Sequence, residues 1–354
     1  MSWGNPQNTG ERILQAALMP AATAYGVGSY VRALGYATGA LARTTLPVPV
    51  VSVGNLTVGG TGKTPITIDL ARRMIDAGHK VAILSRGYKR KSTEPIVIVS
   101  AGTGAKASCE DAGDEPYLIA RAVPDAVVVV GADRVASGEL AINELGAQIL
   151  LLDDGFQHVR LRRNIDLVLL DYEEDLDRAR LLPAGRLREP ASALGRASSI
   201  IVSKVPVGCD AARMGRIREV VQKYNRDADI TFCQFKPKCD INLQATRVIA
   251  FSGIARPQAF IDSVSKLGAT VADEISFSDH HWYAEKDLQQ INASALQAKA
   301  QFIVTTEKDL VRIPAQSKLD LPIIAVKQET VWLNGLPQSM SELIGLPNSR
   351  AAAR

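Results

Sequence analysis

Residues 50–67, VVSVGNLTVGGTGKTPIT, constrain this chain more than any other stretch. The run at 50–53 is apolar apart from Ser52 and reads as a short buried strand. A glycine-rich turn follows, and then ITIDLARRMIDAGHK, whose apolar periodicity reads as a helix. Strand, glycine loop, Gly-Lys-Thr and helix make the phosphate-binding loop of a nucleotide enzyme. Gly59, Gly60 and Gly62 let the backbone turn so that successive N–H groups face a phosphate, with Thr57, Val58 and Thr61 completing the loop. The helix start adds the positive end of its dipole. Lys63 is placed to reach the β- and γ-phosphates of ATP, and Thr64 to put its hydroxyl on Mg2+. One position departs from the G-x-x-x-x-G-K-[ST] pattern, because Thr57 stands where its first glycine belongs. The competing reading is an ordinary glycine turn.

Downstream, apolar runs recur at 80–85, 95–100, 125–131, 147–154, 165–171 and 198–204. Most are continuously apolar, as strands buried on both faces of a parallel sheet are. Helical patterns between many of them predict a doubly wound, mostly parallel α/β sheet with ligands at the C-terminal strand ends. A second, smaller α/β unit follows from 247. TFCQFK (231–236) and IIAVKQETVWL (323–333) are expected to pair as a two-stranded bridge between the units. The division predicted is an N-terminal helical arm at 1–46, a phosphate-loop domain at 47–230, a smaller domain with its linker at 231–335, and a tail at 336–354, with NSRAAAR disordered.

A chain of 354 residues, 46% hydrophobic and 22% charged, has ample length for two soluble domains. The net charge of +4 is too mild to argue for nucleic acid, and nothing implies a protein partner. Four cysteines without C-x-x-C spacing point to a reducing compartment, not a disulfide framework or zinc site. Residues 13–42 are mostly small and apolar, but Pro20 and Arg32 interrupt them as a spanning helix. Two readings stand for this arm: a helix lying in a bilayer interface, or one packed on the protein's own core.

Further motifs sit at strand ends. Asp153 and Asp154 close ILLLDD, where a carboxylate can hold Mg2+ beside the phosphate loop; the alternative is an Asp-Gly turn. Gln157 and His158 follow. Arg86 and Tyr88 leave one strand and Arg134 another, where arginines can face phosphate oxygens. In GDEP, Asp114 reads locally as a helix N-cap and functionally as a base taking the proton of an attacking hydroxyl. His280 and His281 hold two of the four histidines, and TTEKD (305–309) closes another strand. Arg188 and Glu189 lie in the polar loop LLPAGRLRE.

GNLTVGGTGKTP, SRGY, GDEP, ADR, LDDGFQH, LLPAGRLRE, FSDHH and TTEKD occur in this order over residues 54–309. The set closely resembles the tetraacyldisaccharide 4'-kinase family, the lipid A 4'-kinases of Gram-negative bacteria. The resemblance implies transfer of the ATP γ-phosphate to the 4'-hydroxyl of an acylated glucosamine disaccharide 1-phosphate. It also implies Mg2+ and a peripheral place on the cytoplasmic face of the inner membrane. Under it the arm becomes membrane-associated and Asp114 the base, with His280 rather than His281 its partner. Arg86, Tyr88, Arg134, Gln157, His158, Arg188 and Glu189 become candidate substrate-cleft residues. Two positions depart from the family pattern, Lys89 for glycine and Arg186 for proline, and neither is expected to touch the phosphate machinery. Domain closure on ATP binding is expected to bring His280 to Asp114.

Three rival classes remain. A guanine-nucleotide switch lacks its base-reading Asp after Ser203-Lys204. A membrane-associated partitioning ATPase carries an extra lysine just before Gly-Gly, where this chain has Val58. Another small-molecule phosphate-loop kinase leaves the apolar arm unexplained.

Overall fold

The computed structural model describes residues 8–314 and 316–345. The chain runs α1 (Thr9–Ala37), β1 (Val50–Asn55), α2 (Lys63–Asp76), β2 (Val81–Ser85), β3 (Ile96–Ala101), α3 (Cys109–Ala112), α4 (Asp114–Ala122), β4 (Val127–Gly131), α5 (Arg134–Asn143), β5 (Ile149–Asp153), β6 (Ile165–Asp171), β7 (Ser199–Ser203) and α6 (Ala211–Gln222). It continues through β8 (Asp229–Lys238), β9 (Arg247–Ser252), α7 (Pro257–Lys266), β10 (Thr270–Ser276), α8 (Glu285–Gln297), β11 (Phe302–Thr306), α9 (Glu307–Leu310), β12 (Ile323–Trp332) and α10 (Gln338–Leu343).

The strands form one continuous sheet in the order β10-β9-β11-β12-β8-β7-β6-β1-β5-β2-β4-β3. Every residue of β1, β2, β4, β5, β6 and β7 is buried, which is why these runs show no two-residue alternation. β1 lies between β5 and β6, parallel to both. Its register sets Val53 opposite Asp153, so the carboxylate at the end of β5 arrives beside the glycine loop that leaves β1. The chain steps from β1 outward to β2 on one side and to β6 on the other, which makes the tip of β1 a topological switch point.

α2 packs Ile66, Leu70 and Met74 into the core under this tip, each fully buried. Burial on that scale stabilises by about 1.5–3 kcal/mol per side chain relative to exposure. The expected bridge is present. β8 pairs parallel with β7 through residues 229–232 and antiparallel with β12 through 233–238, while β12 begins as a parallel neighbour of β11.

Four details differ from the sequence reading. β3 runs antiparallel to β4 at the sheet edge, so the 95–100 run is half exposed rather than doubly covered. The connections from β5 to β6 and from β6 to β7 contain no α-helix, only a 3-10 turn at Ala191–Arg196 in the second. The boundary drawn at 230/231 falls inside β8. The stretch from 336 is not a loose tail, because α10 buries Met340 and Ile344 against the large core. The predicted disordered end, NSRAAAR, lies outside the described residues.

The arm is a helix capped by Asn8, whose side chain accepts from the Glu11 N–H. It touches the body through Gln15 Nε2 to the Ala184 carbonyl, the Tyr25 hydroxyl to the Arg188 carbonyl and Arg32 to the Gln157 carbonyl. Ala22 is its one buried residue, while Ile13, Val27, Tyr30 and Val31 are 57–66% exposed. The body therefore covers one side of this helix and leaves much of its apolar surface exposed. Among the described residues no helix is long and apolar enough to cross a membrane.

Candidate active site

The glycine loop is built as its residue types require. Gly59 and Gly62 adopt φ 110 and 84, and a Cβ on Gly62 would lie 2.3 Å from the Phe235 ring of β8. Only glycine fits a left-handed turn this close to another side chain. Thr57 has no such need. It sits at an isolated antiparallel bridge to Leu187, outside the positive-φ positions, so a glycine there confers nothing. Asn55 ties the loop from beneath, donating to the Thr57 carbonyl and the Thr61 hydroxyl while accepting from Lys63 Nζ at 3.2 Å. Ser203 holds the Thr61 carbonyl, and Lys204 holds that of Gly60.

Arg186 overturns one expectation. Its Nε and Nη2 donate to the Val58 carbonyl at 3.2 and 2.9 Å, and its own carbonyl accepts from the Val58 N–H. The residue standing in place of proline therefore braces the phosphate loop directly. Lys89, which stands in place of glycine, adopts φ 58, the backbone region that favours glycine.

The two aspartates differ. Asp154 is engaged by Arg188 at 2.8 Å and by Lys63 at 3.5 Å. Burial alone would raise its pKa, but these two cations hold it below the usual carboxylate range. Asp153 is almost completely buried, and its carboxylate accepts from the Thr67 hydroxyl at 3.2 Å. Burial first, then Glu115 and Asp154, push its pKa up. A buried carboxylate short of positive charge suits a divalent cation shared with phosphate oxygens. Thr64, in the first turn of α2, stands three residues before the Thr67 that bonds Asp153. Among the described residues no three acidic, histidine or cysteine side chains form a preformed metal cage. That accords with Mg2+, which takes one or two carboxylates and completes its shell with phosphate and water.

Across the cleft, Gly113 at φ 89 ends α3 and is the N-cap of α4. Asp114 is thus the first helical residue and not the cap that local sequence favoured. Its Oδ2 lies 2.9 Å from His280 Nδ1, and Arg312 Nε donates to the same oxygen at 3.0 Å. Burial raises the pKa of Asp114, and the hydrogen bond from His280 with the charge of Arg312 overcomes this, holding it well below the ordinary range. His280 and Arg312 come from the smaller domain, so this contact already exists and needs no closure to form. His281 turns away: its Nε2 meets Asp287 at 2.9 Å and its ring stacks on Phe277. Glu115, next to Asp114 at the start of α4, relates to Asp153 as one of the charges that raise its pKa.

The remaining candidates divide. Arg188 and Gln157 join the aspartate cluster, with Gln157 Nε2 on the Asn55 carbonyl. Tyr88 is 67% exposed and sets its ring edge against His280. Arg86 is exposed. Arg134 is buried, donates to the Gly131 carbonyl and keeps an unpartnered Nε; burial lowers its pKa to about 10. His158 has a buried, unpartnered Nε2, and burial with the charge of Arg134 lowers its pKa to about 4. Glu189 is buried against Arg196. Arg134 and Glu189 are thus internal side chains, and His158 is half-buried. Sequence reasoning missed Arg312 altogether, because a buried arginine carries no local signal; only its place three residues after TTEKD hints at it.

Comparison with known proteins agrees with this geometry. A family model described as LpxK, tetraacyldisaccharide-1-P 4'-kinase, matches residues 14–344. A tetraacyldisaccharide 4'-kinase of Geobacter sulfurreducens is 36% identical over 330 residues, covering 92% of both chains. That of Syntrophus aciditrophicus is 39% identical over 314 residues, covering 84% of both. A solved structure described as "apo" form LpxK from Aquifex aeolicus in complex with ATP superposes with a TM-score of 0.73 at 31% identity, covering 94% of this chain and 98% of its own. Matches of this length, to relatives covered as fully as the chain itself, show that it belongs to the tetraacyldisaccharide-1-P 4'-kinase family.

Proposed function

We propose that the chain transfers the γ-phosphate of ATP to the 4'-hydroxyl of a tetraacyldisaccharide 1-phosphate, a step of lipid A biosynthesis. The observation that supports this reading is that one chain carries both a phosphate loop with Lys63 bonded to Asn55 and an acid–imidazole pair, Asp114 and His280. The loop from Thr57 to Thr64 cradles the nucleotide phosphates. Lys63 offsets charge on the transferring group, and Arg188 fixes Asp154 beside it. The Asp114–His280 pair takes the proton as the hydroxyl oxygen bonds to the γ-phosphorus. The bond to the β–γ bridging oxygen breaks, and ADP leaves with that electron pair. Such transfers depend mainly on positioning and charge stabilisation. Thr64 and Asp153, with Asp154 alongside, are the residues fitted to hold Mg2+, which supplies charge neutralisation on the phosphates.

The exposed apolar side chains of α1 support a peripheral position on a bilayer, which this reading places at the cytoplasmic face of the inner membrane. There the acyl chains of the substrate stay in lipid while its sugar enters the cleft beside the loop at 181–189 that α1 touches.

The test is transfer of labelled γ-phosphate to a tetraacyl disaccharide 1-phosphate in detergent micelles with Mg2+, with Asp114→Ala alongside. Labelled lipid from the wild type, lost in the variant, is the expected result. ATP hydrolysis without lipid labelling would replace this reading with a membrane-associated ATPase switch.

A further inference from the structure

Arg312 is the most deeply buried cation in the cleft, 2% exposed, and it crosses between domains. Its guanidinium is seated within the smaller domain. Nη1 donates to Asp309 Oδ1 at 3.2 Å and to the Gly253 carbonyl at 3.1 Å. Asp309 is itself held by three donors: the Gly253 N–H at 3.0 Å, the Tyr283 hydroxyl at 3.0 Å and the Thr306 hydroxyl at 2.6 Å. The opposite edge of the same guanidinium, Nε and Nη2, points at Asp114 Oδ2 in the larger domain. Asp114 Oδ1 accepts from the Glu115 N–H at 2.9 Å. Both oxygens of Asp114 are therefore already occupied by donors.

The tautomer of His280 follows from this network. An arginine only donates, so it holds Asp114 in its acceptor form and leaves the carboxylate able to accept a further donor. His280 Nδ1 lies 2.9 Å from Asp114 Oδ2 and 3.2 Å from Arg312 Nη2. An unprotonated Nδ1 would set its lone pair against the carboxylate, so Nδ1 carries the proton and donates it to Asp114. In a neutral ring Nε2 is then the acceptor. The His280 backbone is fixed too: at φ 63, its N–H donates to the Gly253 carbonyl that Arg312 also holds. One guanidinium thus sets the carboxylate, and one carbonyl is shared by the guanidinium and the imidazole's own backbone.

Resting on the kinase reading above, we propose that Arg312 is a positioning residue for phosphoryl transfer: seated on Asp309, it holds Asp114 as the acceptor of the His280 Nδ1–H bond and so presents His280 Nε2 to the attacking hydroxyl. The hydroxyl proton passes to Nε2, the ring becomes an imidazolium flanked by Asp114, and the oxygen bonds to phosphorus as ADP departs. Arg312 touches neither substrate nor nucleotide in this scheme. Its fork is what matters, because a single ammonium cannot serve Asp309 and Asp114 in the same geometry.

The experiment measures lipid phosphorylation against pH for wild type, Arg312→Lys and Arg312→Ala, the last with and without guanidinium ion at tens of millimolar. The groups facing Asp114 are His280, Arg312, Lys308 and Cys109, with Lys308 paired to Glu115; Asp309 and Tyr283 complete the set around Arg312. Expected are a kcat loss of about 100-fold in Arg312→Ala, a smaller loss in Arg312→Lys, and KM values for ATP and lipid within about 3-fold of wild type. Losing the nearby positive charge raises the proton affinity of the Asp114–His280 pair, so the acid limb of the kcat–pH profile moves up by about half a unit or more. Guanidinium, and not the isosteric neutral urea, restores activity to Arg312→Ala. Arg312→Lys with wild-type kcat overturns the proposal, as does an unmoved acid limb in Arg312→Ala or its recovery by urea. If Arg312→Ala does not fold, Arg312→Lys decides alone on kcat against unchanged KM, since lysine keeps the charge that sets the acid limb. Wild type that never labels the lipid overturns the kinase reading instead, so the two failures are separable.

Discussion

α1 presents large apolar side chains along 29 residues and buries one residue, whereas α2 buries seven of its fourteen. The α2 segment was read as a helix from its apolar periodicity and the arm as a helical, mostly small and apolar stretch, yet the protein interior holds only α2. The difference lies in arrangement. In α2, Ile66, Leu70 and Met74 recur at four-residue spacing on one face, opposite Arg72. In α1 the apolar residues lie all around the helix among small ones, so no single face can be sealed by one layer of sheet. The body touches α1 through polar bonds, Gln15, Tyr25 and Arg32 among them, and leaves its apolar surface outward. Both segments are helical, and the apolar periodicity of α2 assigned it to the core.

The strongest test of α2 is at its first residue. Lys63→Ala should lower lipid phosphorylation by about 1,000-fold or more, since charge stabilisation supplies most of this chemistry. Urea denaturation of the same variant should stay near wild type, because Lys63 belongs to the loop and not to the packed face. Next in size, Leu70→Ala should cost about 2–5 kcal/mol in urea unfolding, as for other fully buried leucines. A matched Val27→Ala in α1 should cost less than about 0.5 kcal/mol. Equal losses at the two positions would break the comparison.

A third test moves to the outer helix. Replacing Val27, Tyr30 and Val31 together by Ser should leave Tm within about 2 °C of wild type while reducing cosedimentation with phospholipid vesicles about 10-fold or more. Unchanged vesicle binding would detach α1 from the membrane reading.

The smallest effect concerns His158, where α1 meets the body through neighbouring Gln157. Its folded-state pKa of about 4 lies below its ordinary value, so the unfolded chain binds the extra proton first. Its contribution to stability is complete above about pH 6.5 and is lost as pH falls towards 4. His158→Gln should flatten the stability–pH curve in that window by about 1 kcal/mol, read from denaturant midpoints at pH 7 and 5. An unchanged slope would mean that His158 reaches water.

The phosphate loop was legible because strand, glycines, Lys63 and Thr64 are contiguous, and local backbone physics demands those residue types in that order. The pairing of the runs at 231–236 and 323–333 was also anticipated, and it lies in the middle of the continuous sheet. Arg186 was misjudged because its target, the Val58 carbonyl, lies 128 positions away in the chain. The sequence also presented Asp114 as a cap, and only φ 89 at Gly113 moved the cap one residue earlier and freed the carboxylate.

What the sequence determined by itself is therefore the set of local requirements: a parallel α/β sheet from continuously apolar runs, a nucleotide loop from contiguous glycines and Gly-Lys-Thr, and a carboxylate at the end of the neighbouring strand. The tertiary structure alone decided which charges meet. Arg312 and Asp114 are 198 residues apart, and His280 and Asp114 are 166 apart, so no local pattern encodes either contact. They form because β8 and β12 fuse two sheets into one and bring the smaller domain's strand ends over the cleft of the larger. Backbone preference acts over a few residues, whereas pairing of buried charges depends on where separate elements come to rest.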